Sequence, residues 1–353
     1  MDHTSRPGNH EISSRPEGRV TAKMVADRAG ASITTVSRVL NSVPVAVSES
    51  LRQRILEAAK ELDYSPNALA VSLRKGGATK TIGLLIADIS APYFHVLTRG
   101  VEDAAQAAGY TVILCDTDRN PQKELKYLDV LYRKQVDAII FAGGAVDEDQ
   151  HLHGRKWGPI KVVTVGPHTL PFPRVEVDDR AATAAAVAHL VEQGCRRIAC
   201  ISGQRNWLIS KRRGEGYEQG LIAAGLTVDE RLYWASTLTL ETGEACTKRA
   251  LDAGLSFDGL VAFTDEGAIG AMRALKAAGL RIPEDVAVIG CDDTRIAPLT
   301  DPPLSSIAFP LHQMGVVAVE IILAMRAGLA IEDRHFPFEL RLRTSSLRRP
   351  RGG

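Results

Sequence analysis

From Thr81 onward the 353-residue chain alternates short, β-rich apolar runs with stretches patterned for helices. The runs are TIGLLIAD, YTVILCD, DAIIFAGG, IKVVTVG, RRIACIS, YWAST, GLVAFTD and VAVIGCDD, and each precedes a helical or loop segment. Strands joined by helix-length crossovers run parallel, with helices on both faces of the sheet. Eight such strands, with short extended stretches near 175–177 and 304–307, suit two similar lobes joined by crossovers. Ligands of such sheets bind beyond the carboxyl ends of the strands. Asp88, Tyr93 and Phe94 follow the first run, Arg213 follows RRIACIS, Thr264 and Asp265 follow GLVAF, and Asp292 follows VAVIGC. A forked donor, Arg213, with an acceptor, Asp292, in one cleft would fix hydroxyl or amide groups and leave neither charge unpaired. Any one of these residues alone reads equally well as a surface salt bridge or a core aromatic; their joint placement favours the cleft.

The first 80 residues follow a different pattern. They hold 12 Lys and Arg against 8 Asp and Glu, whereas the remainder holds 31 against 34. A basic head on a slightly acidic body points to a polyanionic partner for the head, although a solvated charged face would give the same count. In VTAKMVADRAGASITTVSRVLN, Thr21 caps a helix that ends near Arg28, Gly30 supplies a left-handed turn, and Ser32 caps a second helix to Leu40. Val25, Ala26, Ile33, Val36, Val39 and Leu40 offer apolar contacts across the turn, the spacing of a helix-turn-helix. A two-helix corner in a bundle would show the same periodicity. The second helix presents Thr34, Thr35, Ser37 and Arg38, groups suited to phosphates and base edges. A third helix starts at Ser48 and carries Leu51, Ile55, Ala58 or Ala59, and Leu62 on one face.

Residues 65–80 join the two regions. Ser65 is a good cap and Pro66 suits a first helical position, with the helix expected to reach about Arg74. Such a segment is shorter than the roughly 12–15 residues an isolated helix needs, so it should form only against a partner. A duplex minor groove and a second copy of the same helix would serve, with Leu73 as a wedge between base pairs and Arg74 and Lys75 toward phosphates. Packing of Leu73 on the protein's own body is the alternative.

The runs VTAKMVADRAGASITTVSRVLN, YSPNALAVSLRKG and TIGLLIADISAPYF together resemble the lactose-repressor (LacI/GalR) family of bacterial transcription regulators, and the similarity continues to about Leu347. The resemblance implies an all-α helix-turn-helix head on a two-lobed α/β body like a periplasmic binding protein. It also implies a dimeric repressor that reads the major groove through Ile33, Thr34 and Arg38 and inserts Leu73 into the minor groove. The candidate DNA-binding residues are thus Thr21, Ser32, Ile33, Thr34, Thr35, Ser37, Arg38, Asn41, Asn67, Ala70, Leu73 and Arg74. The candidate effector-binding residues are Asp88, Tyr93, Phe94, Arg213, Leu238, Thr264 and Asp292. Several positions depart from the family pattern. Val71 replaces a frequent basic or polar residue, Thr264 a frequent asparagine, Gly166 an aspartate and Leu238 a stacking aromatic. Trp207 stands near the place of a second arginine in the purine-responsive member. A sugar or related polyol is therefore expected rather than a purine.

The expected division is a disordered extension over 1–19, the head over 20–64, hinge helix and linker over 65–80, the body over 81–347 and a tail over 348–353. Five cysteines without a Cys-x-x-Cys pair fit reduced thiols. The chain start lacks the apolar run of a secretory signal, and no stretch is long enough to span a membrane, so a cytoplasmic protein with no membrane partner is expected. No metal or cofactor is expected: His151 and His153 lack a third ligand, GEGYEQG has the wrong glycine spacing for a dinucleotide site, and neither a Gly-x-Ser-x-Gly elbow nor a phosphate loop appears. The expectation is a non-enzymatic, ligand-responsive regulator, a repressor of carbohydrate use that binds near-palindromic operator DNA. A terminal leucine heptad is absent, so a homodimer is the expected assembly. A stand-alone sugar-binding protein would account for the body alone.

Overall fold

A computed structural model describes residues 20–41, 46–65 and 78–348. The expected hinge helix, with Asn67, Ala70, Leu73 and Arg74, lies outside the described residues, as do 1–19 and 349–353. The chain divides into two units, Met1–Thr79 and Lys80–Gly353.

In the first unit, helix α1 (Ala22–Ala29) begins where the Thr21 hydroxyl accepts from the Met24 amide at 3.4 Å. It stops at Gly30, whose φ of 63° is a left-handed conformation that favours glycine. Helix α2 (Ile33–Leu40) begins where Ser32 Oγ accepts from the Thr35 amide at 3.0 Å, and α3 (Glu49–Glu61) is capped by Ser48. Val25, Ala26, Ala29, Val36, Val39, Ile55, Ala58 and Ala59 form a small buried core. Ile33, expected among the apolar contacts, is instead 48% exposed, because the first turn of α2 projects it away from α1 and α3.

The second unit holds two six-stranded sheets. One comprises β1 (Thr81–Ile86), β2 (Thr111–Asp116), β3 (Ala138–Ala142), β4 (Lys161–Val165), β5 (Arg174–Val177) and a late strand, Arg334–Phe336. The other comprises β6 (Ile198–Ser202), β7 (Tyr233–Ala235), β8 (Gly259–Ala262), β9 (Ala287–Cys291), β10 (Ser305–Ala308) and the strand Glu339–Arg341. With the late strands numbered β11 and β12, the orders are β11-β5-β4-β3-β1-β2 and β12-β10-β9-β8-β6-β7. The same strand order in each identifies two copies of one lobe plan. All pairs are parallel except β12, which runs antiparallel to β10. β11 and β12 were not anticipated: three residues each, RHF and ELR, they carry too much charge to read as strands.

Helix α4 (Pro92–Ala107) and α5 (Pro121–Arg133) belong to the first lobe. α6 (Asp179–Glu192), α7 (Leu208–Ala223), α8 (Leu240–Asp252) and α9 (Asp265–Ala277) belong to the second, and α10 (Leu311–Arg326) returns to the first. The chain thus crosses between lobes after β5, β10 and β11. Alternation along β1 shows why both faces are covered. Ile82, Leu84 and Ile86 pack with Leu97 of α4 and Ile322 of α10, while Leu85 packs with Leu128 and Leu131 of α5. In α7, Gly216 lets the helix approach α6 closely, since a Cβ there would meet the Arg180 carbonyl oxygen at 2.3 Å. Gly216 and Gly220 of GEGYEQG therefore serve the packing of α7 on α6, while Gly214 leaves room for the Tyr233 hydroxyl. All five cysteines are free and buried, and no helix among the described residues is long and apolar enough to cross a membrane.

Candidate functional site: a cleft at the carboxyl ends of both sheets

The turn after β1 is shaped by Asp88, whose Oδ1 accepts from the Ser90 amide at 2.8 Å and from the Ser90 hydroxyl at 2.6 Å. Pro92 then opens α4, which brings Tyr93 and Phe94 to the cleft edge-to-face, 5.0 Å apart. Phe94 is 3% exposed and belongs mostly to the core, so Tyr93 supplies the available ring.

From the second lobe, α7 projects Arg213, which is buried. Its Nε donates to Asp179 Oδ1 at 2.9 Å and its Nη1 donates to the Phe263 carbonyl at 2.6 Å. The expected pairing of Arg213 with Asp292 is thus replaced by one with Asp179, because the packing of α6 on α7 brings the first turn of α6 to the guanidinium. Asp292 stays close enough to act on Arg213 through charge, and its burial, ahead of any neighbour, raises its carboxyl well above the usual range. Its φ of 103° is rare for a side-chain-bearing residue. Conformations of this kind cost about 1–3 kcal/mol and persist where surroundings enforce them.

Asp265 does the enforcing. Its Oδ1 accepts from the Ser306 hydroxyl at 2.5 Å, and its Oδ2 accepts from the Thr294 amide at 2.6 Å and hydroxyl at 2.9 Å. The turn after β9 is thereby tied to α9 and β10. Burial pushes the Asp265 carboxyl up to about 6 even with those donors. Thr264 caps α9 by accepting from the Gly267 amide and donates its hydroxyl to the Leu238 carbonyl at 3.0 Å. Leu238 itself has a φ of 66°.

These groups surround about 960 Å3 of empty space, counted with its open mouth. All seven expected effector-binding positions line it: Asp88, Tyr93, Phe94, Arg213, Leu238, Thr264 and Asp292. So do Asp179, Glu266, Arg119 and Phe309, which the sequence reading missed. Arg119 could have been found by the strand-end rule, as it lies just past β2. Burial pulls its guanidinium down to about 10; it stacks on Trp207 at 4.2 Å and donates to the Gly143 carbonyl at 3.4 Å.

A second seam joins the lobes. The Asp147 amide donates to the Asn206 carbonyl and the Leu208 amide to the Ala145 carbonyl, each at 2.9 Å, and Lys211 pairs with Glu148 at 2.9 Å. Asp147, Glu148 and Asp149 all have positive φ, from 47° to 58°.

On the head, Thr21, Ser32, Ile33, Thr34 and Arg38 are exposed, while Thr35, Ser37 and Asn41 are half-buried. Thr21 and Ser32 spend their hydroxyls on caps. Asn41 donates to the Ser37 carbonyl at 2.5 Å and so closes α2.

A helix-turn-helix head and a two-lobed body with a polar cleft define the class of ligand-responsive DNA-binding regulators. Family models agree: residues 21–67 match the bacterial regulatory proteins of the lacI family, and 187–346 match the periplasmic binding protein-like domain. The chain is 35% identical over 301 residues to the HTH-type transcriptional regulator DegA of Bacillus subtilis (strain 168), covering 84% of this chain and 88% of that protein. This chain therefore belongs to the LacI family of transcription regulators and is not an enzyme. Among solved structures, the transcriptional regulator CelR–cellobiose complex is 29% identical with a TM-score of 0.69, covering 93% of this chain and 100% of that one. A periplasmic binding protein/LacI transcriptional regulator from Alkaliphilus metalliredigens complexed with D-xylulofuranose is 28% identical with a TM-score of 0.66, covering 76% and 100%.

Proposed function

We propose that this regulator represses genes for the use of a sugar or related carbohydrate, and that a small sugar or sugar derivative between its lobes controls its hold on operator DNA. One observation carries the reading: a single cleft combines carboxyl groups able to accept from hydroxyls, Asp292 and the oxygen of Asp88 that Ser90 leaves open, with the rings of Tyr93 and Phe309 for the C–H face of a sugar. The sugars named in the CelR and Alkaliphilus complexes support it.

The eight-residue recognition helix α2 touches too few base pairs for genomic specificity, so two chains act together as a homodimer on a near-palindromic site. Residues 65–80 couple the two regions: a helix there, with Leu73 in the minor groove and Asn67, Ala70 and Arg74 beside it, forms only on DNA with its twin. Ligand held between the lobes moves them and shifts that folding equilibrium. A swing from almost fully bound to almost fully free requires about 5.5 kcal/mol of differential ligand affinity, a demand that two cleft sites share. The protein works in the cytoplasm, where its DNA lies.

An electrophoretic mobility shift on the DNA upstream of its own gene, repeated with a sugar panel, tests this. A salt-sensitive specific complex with two chains per site, released by one sugar, is the expected result. A specific complex indifferent to every sugar, in a protein whose thermal stability no sugar alters, would overturn the sugar reading.

A further inference from the structure

Charge is unevenly distributed among the groups that line the cleft. Five carboxylates face it, Asp88, Asp179, Asp265, Glu266 and Asp292, against two guanidiniums, Arg119 and Arg213. Among the described residues, Arg213 with Asp179 is the one salt bridge that any of these seven makes. Arg213 spends a further donor on the Phe263 carbonyl, so little of it is left for a ligand. Asp265 is likewise occupied, both oxygens accepting from Ser306 or Thr294. Arg119 lays its guanidinium on the Trp207 ring and donates to a backbone carbonyl. Asp88, Asp265, Glu266 and Asp292 form no salt bridge among the described residues: Arg119 acts on Asp88 and Arg213 on Asp292 through charge alone, and the charges that act on Glu266 are Asp88, Glu241 and His95.

We infer that the cleft takes a hydroxyl-rich ligand that carries an ammonium and no phosphate or carboxylate, an amino sugar or amino polyol, with the ammonium held between Asp88 and Glu266. The inference rests on the carbohydrate reading above and narrows it. Asp88 follows β1 of the first lobe and Glu266 sits in the first turn of α9 in the second, so the two acids belong to opposite walls. Burial, then the Asp88 and Glu241 carboxylates, raise the Glu266 carboxyl against the opposing pull of His95, as expected where acids meet with too little positive charge between them. An ammonium there turns a repulsion between lobes into two charge-assisted hydrogen bonds and draws the walls together. Asp292 accepts from hydroxyls, and Tyr93 and Phe309 cover the ring. A phosphorylated or carboxylated sugar would place further negative charge in a cleft lined by five acids and two guanidiniums and is rejected.

Isothermal titration of the full-length protein, at low and high salt, tests this with matched sets. These are glucose, glucosamine and glucose 6-phosphate; galactose, galactosamine and galactose 6-phosphate; and cellobiose with the β-1,4 glucosamine dimer. In any set that binds, the amine should bind about tenfold more tightly than its neutral parent and lose part of that advantage at high salt. Glu266→Gln and Asp88→Asn, isosteric changes checked for folding by circular dichroism, should each shrink the advantage. If a neutral or phosphorylated member binds as tightly as the amine, the inference fails and the carbohydrate reading stands. If the amine's advantage is unchanged in both variants, the Asp88–Glu266 placement is wrong. If no member of any set binds, the carbohydrate reading falls as well.

Discussion

The head and the body handle polar groups in opposite ways. The head packs eight apolar residues beneath three short helices and sets Thr34 and Arg38 on its surface, where water solvates them. The body withdraws Arg213, Asp179 and Asp265 from solvent, pairs the first two with each other, and satisfies Asp265 with the Ser306 and Thr294 hydroxyls and a backbone amide. In the proposed function the exposed pair meets a polyanion, and such groups can wait in water because phosphate contacts are strong and long-ranged. Buried charges must instead be held by internal partners, in a medium where each hydrogen bond counts for more.

Removing a body charge should therefore cost the most. Arg213→Ala leaves Asp179 buried without its partner and should destabilise the body by about 3–5 kcal/mol, with the ligand response lost; urea denaturation and DNA release by ligand measure the two effects. A loss below about 1 kcal/mol in denaturation would mean that water reaches Asp179 and the contrast with the head is weaker than drawn.

Asp265 gives the same contrast a pH dependence. Its folded carboxyl keeps a proton to about 6, whereas the unfolded group titrates near 3.8. Between those values the folded chain binds more protons, so this group's contribution to stability falls as pH rises, by up to about 3 kcal/mol, and is constant above. Asp265→Asn should flatten that part of the stability–pH curve, measured by chemical denaturation from pH 4 to 7.

On the head, Arg38→Ala should weaken operator binding by about 1–3 kcal/mol and leave ligand affinity and thermal stability unchanged, as read by fluorescence anisotropy and thermal shift. The smallest effect expected is that of Ser32→Ala, about 1 kcal/mol of head stability from loss of the α2 cap, followed by hydrogen exchange of the Thr35 amide. If Ser32→Ala cost more than Arg213→Ala, the comparison would be reversed.

The same division explains what could be read in advance. The three head helices end where Thr21, Gly30, Ser32 and Ser48 place them, because a cap acts within four residues. Asp88, Tyr93, Phe94, Arg213, Thr264 and Asp292 were legible because strand ends are local and parallel sheets put ligands at one edge, whereas Leu238 came from the family resemblance alone. The partner of Arg213 was not legible: Asp179 lies 34 residues away, in VEVDDRA, where it looks like an acid placed only to favour a helix start. Arg119 escaped notice because its neighbours Asp118 and Asn120 read as turn residues. Ile33 reads from its type as an apolar contact and from the family resemblance as a surface residue facing DNA; its exposure excludes the first, because the first turn of α2 points it to water.

The seam between Ala145–Asp147 and Asn206–Leu208 bears on how freely the lobes can move. It fastens the lobes through loops separate from the three chain crossings, so moving the lobes apart costs those two amide–carbonyl links. Three consecutive residues held at positive φ gain freedom when the links part. Any motion of one lobe against the other is therefore opposed at this seam as well as at the crossings, and its cost rises with whatever braces these loops.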